Sequence, residues 1–296
     1  MPTNIPVRRQ RGAWPFKRSV NTHATPPDTP LVSVIIPSYN QGDYLEAAIR
    51  SVLCQDYPAV ECLVLDAGSQ DDSAQIIEHY QDALSYSRSH RDNGQSAAVN
   101  EGARHAKGKY MSFLNSDDML APGTISHVMN CFARNPDAML VYGQRILIDT
   151  DDRVSGWSSA KPFDHHTCRF TINSETAFWK REVFEELGGF NESLRFALDL
   201  DFFCRIYKRH PILQVNKFLG LYRFHHQSKS ETLQDVCAIE TSECWKRIFN
   251  SPWQPPAPAP MSMRKRLNHW RMAVRNPQLV LMPYLQHKLG RLAKPQ

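Results

Sequence analysis

Between residues 31 and 245 the spacing of apolar positions changes several times. "LVSVIIP" (31–37) is a continuous apolar run closed by proline, the pattern of a strand buried on both faces. From Asp43 the period lengthens. Tyr44, Leu45, Ala48, Ile49, Val52 and Leu53 share one helical face, and Asp43 with Glu46 resembles a capping box. "VECLVLD" (60–66) is a second strand, and "DDSAQIIEHY" (71–80) opens a second helix behind two acids. A weaker strand over 84–89 leads into a helix of small residues, "GQSAAVNEGARHA" (94–106). "KYMSFLN" (109–115) is the next strand, and Pro122 starts the helix after it. Strands alternating with helices at these spacings make parallel βαβ units. The predicted fold class is therefore α/β: an open, mostly parallel sheet with helices on both faces. No internal repeat interrupts the pattern.

Composition narrows the class without naming a function. The chain has 296 residues, 42% hydrophobic and 22% charged, as in ordinary globular proteins. No apolar stretch approaches the roughly 20 residues that span a bilayer, and the arginine-bearing N-terminus lacks the apolar segment of a secretory signal. Seven cysteines, an odd number without a C-x-x-C pair, point to free thiols in a reducing cytosol. "DHHTC" (164–168) resembles a metal cluster but does not make a complete ligand set.

Charge divides the chain into three. Residues 1–30 carry +4 and residues 245–296 carry +10; with a total of +5, residues 31–244 are left at −9. Both ends are proline-rich ("ATPPDTP", "SPWQPPAPAP"). The expected organisation is a basic disordered extension over 1–30, one domain over 31–245, and a linker with a basic tail over 246–296.

Polar clusters close three of the predicted strands: "PSYN" (37–40), "DAGSQDD" (66–72) and "NSDD" (115–118). Ligands of open α/β sheets bind beyond the carboxyl ends of the strands. Each cluster alone is ordinary turn and capping chemistry, but three on one rim favour a ligand site. The adjacent carboxylates Asp117 and Asp118, with Asn115 upstream, offer hard oxygen donors to a divalent metal. Such a metal would bridge an acidic rim to a diphosphate. No G-x-G-x-x-G or P-loop follows the first strand, which argues against a dinucleotide dehydrogenase and a P-loop kinase.

At this point the residues resemble family 2 of the nucleotide-sugar glycosyltransferases, of bacterial polysaccharide-biosynthesis type. The resemblance runs through "VSVIIPSYNQGDYLEAAIRSVLCQDYPAVECLVLDAGSQDDS", "DNGQSAAVNEGARHAKGKYMSFLNSDDML" and "ETAFWKREVFEELGGFNESLRFALDLDFFCR" to "YRFHHQS", roughly residues 31 to 230. It implies the Rossmann-like GT-A fold. It also implies that Pro37, Tyr39 and Asp66 line a uridine pocket completed by Asp92, with Asn100 nearby. Asn115-Ser116-Asp117 stands at the D-x-D metal motif, with Asn115 in place of its first acid, so Asp117 carries the metal. Asp199 stands at the position of the catalytic base. Arg223 and His225, in R-x-H-x-x-S, are expected at the diphosphate or metal. Read from the residues alone, Glu175 is either an acceptor-side hydrogen-bonding group or a turn residue, and Trp179 is either a core residue or an acceptor-side stacking platform.

For Asp199 the competing role is a helix cap, and for Asp201 an i, i+4 pair with Arg205; residues two apart on a helix point about 200° apart, so one carboxylate at most faces a substrate. The expected activity is inverting transfer from a nucleotide diphosphate sugar, a UDP-sugar by resemblance, to a glycan or lipid-linked acceptor, with Mg²⁺ or Mn²⁺ as cofactor. A sugar nucleotidyltransferase and a non-catalytic carbohydrate-binding protein are the alternatives. The first usually has a basic, glycine-rich phosphate loop, and "PSYNQGDYL" has no basic residue.

The tail "MSMRKRLNHWRMAVRNPQLVLMPYLQHKLGRL" (261–292) has apolar Met263, Leu267, Trp270 and Val274 at helical spacing on an otherwise basic surface. A helix of this kind lies on an anionic membrane surface or packs against protein. The expected location is cytoplasmic, peripheral to the inner face of the plasma membrane. No nucleic-acid partner is expected.

Overall fold

The computed structural model describes residues 14–16, 26–167, 170–225 and 228–253. The first half alternates as the pattern predicts: β1 (Val32–Ser38), α1 (Gly42–Leu53), β2 (Val60–Asp66), α2 (Ser73–Tyr80), β3 (Tyr86–Ser89), α3 (Gln95–His105) and β4 (Tyr110–Phe113). There follow β5 (Met119–Leu120), α4 (Thr124–Arg134), β6 (Leu140–Ile148), β7 (Val154–Ser158), β8 (Phe178–Lys180) and α5 (Arg181–Glu186). The described chain closes with α6 (Leu198–Arg209), β9 (Ile212–Arg223), α7 (Lys229–Thr232) and α8 (Gln234–Phe249).

All nine strands join one sheet in the order β3-β2-β1-β4-β8-β6-β9-β5, with β7 paired to β6. The pairings among β1 to β4 are parallel. Beyond β4 the sheet is mixed: β8 runs antiparallel to both β4 and β6, and β5 to β9. The period-two alternation of the strands separates two cores. Ile35, Leu63 and Leu65 face α3, α6 and α8; Val34, Ile36 and Val64 face α1, α2 and α4. Helices therefore cover both faces, and the strand ends are left as the open rim.

Three local expectations change. The first N–H of α1 is not capped from within a box: Gly42 donates to Asp71 Oδ2 at 2.8 Å, from the loop after β2, and Glu46 is buried, accepting the Tyr80 hydroxyl at 2.9 Å. The expected extension over 1–30 includes a docked segment. Phe16 is buried beside Ala47, Met119 and Leu221, and Trp14 Nε1 donates to the Leu120 carbonyl at 2.9 Å. The boundary expected at 245 falls inside α8, where Trp245 and Ile248 are both buried against the core. Residues 261–292 lie outside the described residues.

Candidate active site

A cleft of about 1060 Å³ opens along the rim. Its first wall comes from β1 and β2, whose ends are level: Ser38 lies opposite Asp66, and Asp66 opposite Ser89. Pro37 and Tyr39 line the cleft, with Tyr39 61% exposed, as does Asp92. Asp66 does not. It is fully buried, and its carboxylate accepts the N–H groups of Gly68 at 3.2 Å and Ser69 at 2.9 Å together with the hydroxyls of Ser69 and Ser89. Asp66 thus builds the turn that presents Ala67 and Gly68 to the cleft. Gly68 has φ +76°, and a Cβ there would lie 3.1 Å from the Arg91 nitrogen, so the turn needs glycine. Asp92 is fixed from behind by Arg88 at 2.9 Å, while Arg88 also grips Glu101; its other oxygen accepts the Gly94 N–H at 2.8 Å.

Asn100 was expected beside this pocket and is not there. Its carboxamide accepts the Phe190 N–H and donates to the Phe190 carbonyl, both at 2.9 Å. A Cβ on Gly189 (φ +74°) would lie 2.7 Å from Asn100 Oδ1. Asn100 therefore clamps the Gly188-Gly189 turn, a structural task.

The second wall is the metal-motif loop between β4 and β5. Asn115, Ser116 and Asp117 line the cleft. Asp118 turns inward, 1% exposed, with Oδ1 accepting the Arg223 N–H at 2.9 Å. Burial, then the charges of Asp117 and Glu175, hold its carboxyl well above the usual carboxylate range. Only one of the adjacent carboxylates thus faces the cleft. His225 Nε2 lies 2.9 Å from Asp117 Oδ2, placing a nitrogen and an oxygen donor side by side. That pair fits Mg²⁺ or Mn²⁺, which take a few protein ligands and complete their shell with phosphate and water.

Arg223, expected at the diphosphate, points elsewhere. Its guanidinium is fully buried, donating to the carbonyls of Asp117 and Asp149 at 2.8 Å and pairing with Asp152 at 2.6 Å. It also lies 4.6 Å over the Tyr44 ring. It fixes the backbone of the metal loop instead of touching the cleft.

Asp199 and Glu175 line the far end. Asp199 lies in the first turn of α6, one oxygen accepting the Leu200 N–H at 2.8 Å. Desolvation pushes its pKa up to about 6, the Glu175 charge adds to this, and Lys229 opposes it. Asp201 faces the other way, buried, 2.8 Å from Arg205 and bonded also to Arg247. Glu175 is 2% exposed with Arg145 at 3.6 Å, and burial raises its pKa. Trp179 takes the core role, not the acceptor-side one. It is fully buried among Phe113, Phe190, Phe202 and Phe203.

Three cleft cations escaped the sequence reading: Arg91 beside Asp92, Arg145 on β6 and Lys229 at the start of α7. Arg145 pairs with Glu175 across a sequence separation that no spacing rule reveals. Lys229 directly follows the R-x-H-x-x-S motif, a cue that was available. The Asp164-His165-His166 cluster places its ligating atoms within 4.8 Å of one another, but His165 stacks on Phe249 and Asp164 accepts the His166 N–H at 3.0 Å.

A GT-A sheet with three polar loops at the rim of one cleft, together with the chain's family match, defines the class: the protein is a glycosyltransferase. The description "Glycosyl transferase family 2" matches residues 33–212, and the chain belongs to that family. Among curated relatives, an uncharacterized glycosyltransferase of Rickettsia prowazekii is 31% identical over 222 residues, 69% of this chain and 67% of its own length. Chondroitin synthase of Escherichia coli is 27% identical over 252 residues, and the matched part is 35% of its length. Two solved structures share the fold. One is S. aureus TarS 1-349 in complex with UDP-GlcNAc (18% identity, TM-score 0.59, covering 83% of this chain and 72% of that one). The other is the Pyrobaculum calidifontis mannosyltransferase PcManGT in complex with GDP-Man and Mn²⁺ (20%, 0.60, 95% and 80%). Among the described residues no helix is long and apolar enough to cross a membrane.

Proposed function

We propose that the protein is an inverting, metal-assisted glycosyltransferase that uses a nucleotide diphosphate sugar, with a UDP-sugar as the favoured donor. The observation that carries this reading is one cleft lined at one place by Asp117, paired with His225, and at another by Asp199, a carboxylate with a pKa raised to about 6. A base of that kind is charged at neutral pH yet accepts a proton readily. Pro37, Tyr39 and Asp92 would hold the nucleoside, with Asp66 shaping their loop. Asp117 and His225 would hold Mg²⁺ or Mn²⁺, which when bound offsets the negative charge of the diphosphate. Asp199 takes the proton of the acceptor hydroxyl as that oxygen bonds to the anomeric carbon. The bond from that carbon to the phosphate oxygen breaks, and its electron pair leaves with the nucleotide diphosphate.

Glu175, close enough to influence Asp199, would orient the acceptor. A glycan or lipid-linked acceptor accords with relatives named for chondroitin synthesis and for PGL/p-HBAD biosynthesis. With such an acceptor, the basic tail would attach the protein to the inner face of the plasma membrane.

The test is a panel of UDP- and GDP-sugars with Mn²⁺, read by thermal shift and by release of nucleotide diphosphate. At least one donor should raise the melting temperature and be turned over by the wild type, with turnover lost in Asp199→Asn. No stabilisation by any donor, or release unchanged in Asp199→Asn, overturns the reading.

A further inference from the structure

Lys229 stands where it faces both functional carboxylates. The charges of Asp199, Glu240 and Asp117 act on its ammonium, in that order, and it lines the same cleft as Asp199 and Asp117 do. Yet it bonds to neither. Its Nζ donates to Gln95 Oε1 at 2.6 Å and to the Arg195 carbonyl at 3.1 Å. Among the described residues no carboxylate lies within ion-pair distance of it. Its side chain reaches solvent, yet the cleft walls partly desolvate the ammonium and lower its pKa, as expected of a cation whose bonds to Gln95 and Arg195 go to neutral oxygens.

The other cleft cations are placed differently. Arg145 is occupied by Glu175 at 3.6 Å and the Tyr222 ring at 4.4 Å. Arg91 adjoins the nucleoside end, its backbone against Gly68. Among the described residues, Lys229 is the cleft cation on which the charges of both Asp117 and Asp199 act.

We propose that Lys229 is a donor-binding residue that leaves Gln95 and bonds the diphosphate of the sugar nucleotide. The exchange replaces neutral oxygens by anionic ones, and charge-assisted hydrogen bonds are roughly twice as strong as neutral ones. Gln95 provides the alternative seat. Its amide is tied to Asn115 Oδ1 at 2.6 Å, so Gln95 holds Lys229 at the edge of the metal motif. The lysine stays protonated throughout and transfers nothing. Its gain is largest as the bond to the anomeric carbon breaks, because negative charge then accumulates on the departing phosphate.

This inference rests on the donor-site reading above. The test is calorimetry on the full chain with Mn²⁺, titrating UDP, UMP, GDP and GMP into wild type, Lys229→Met and Lys229→Arg. Lys229 is exposed at its position on α7, and the melting temperature of each variant should stay near that of the wild type. Lys229→Met should weaken the diphosphate by about tenfold or more and the matching monophosphate far less; Lys229→Arg should restore most of the loss. Parallel losses for mono- and diphosphate would mean that Lys229 only props the loop, and would overturn the inference. So would equal diphosphate affinity in Lys229→Met and a wild type that binds. A wild type that binds no nucleotide diphosphate overturns this inference together with the donor-site reading beneath it.

Discussion

His225 Nε2 and Asp117 Oδ2 sit 2.9 Å apart across a sequence separation of 108 residues. The pairing brings the end of β9 to the loop after β4. Arg223 locks it, donating from its side chain to the Asp117 carbonyl and from its backbone to Asp118. Two donor atoms from distant segments are thereby held together by the fold itself.

Asp117→Ala should abolish the Mn²⁺-dependent part of nucleotide affinity while the protein stays folded. His225→Gln should weaken that part by more than about tenfold. Calorimetry with and without Mn²⁺ reads both. Unchanged metal dependence in Asp117→Ala would remove this residue as the ligand.

Asp199→Asn should cut turnover by about 10²-fold or more with donor binding retained. In the wild type, kcat/KM should fall as pH drops through about 6, where the base becomes protonated. Stability should move the other way. The group titrates at its ordinary 3.8 in the unfolded chain and near 6 in the fold, so the fold binds the proton more tightly. Stability is lost as pH rises from the first value to the second. At pH 8 Asp199→Asn should therefore be as stable as the wild type or more so, by at most about 3 kcal/mol. A clear loss of stability at pH 8 would contradict that environment.

Asp201→Asn should behave in the opposite sense. It removes the charge of buried Asp201 from Arg205 and Arg247, which are themselves partly exposed, at a cost of about 1–3 kcal/mol. The folded fraction should keep its donor affinity and most of its turnover. A stable but inactive Asp201→Asn would exchange the roles of the two acids.

Phe16→Ala should destabilise the domain by about 2–4 kcal/mol, read by denaturant unfolding. Because Phe16 packs on Met119 and Leu221, Mn²⁺-dependent binding should weaken as well. An unchanged unfolding midpoint would show that the segment contributes no stability.

Local information carried the first half of the fold. The run from Val32, the helical face from Leu45 and the strand ending at Asp66 each stand at the predicted place, because strand and helix periods are properties of neighbouring residues. The three polar clusters at strand ends were equally legible, since the end of a strand in an open sheet is a position along the chain. That Asp199 and Asp201 cannot both face a substrate also followed from helix geometry alone.

Tertiary structure decided which members of those clusters reach the cleft. Asp66 and Asp92 look alike in sequence, yet Asp66 spends its lone pairs on its own turn and Asp92 stays at the surface of the site. Asp117 and Asp118 are neighbours, and only the approach of Arg223 on β9 fixes one outward and one inward. Asn100 was assigned by position in a motif, but the segment around Phe190 occupies it, and packing by α6 decided between core and cleft for Trp179. Arg145 beside Glu175, and Lys229 beside Gln95, are pairings across the sheet and the cleft. Such contacts depend on how elements stack, and the periodicity of a single segment contains no information about them.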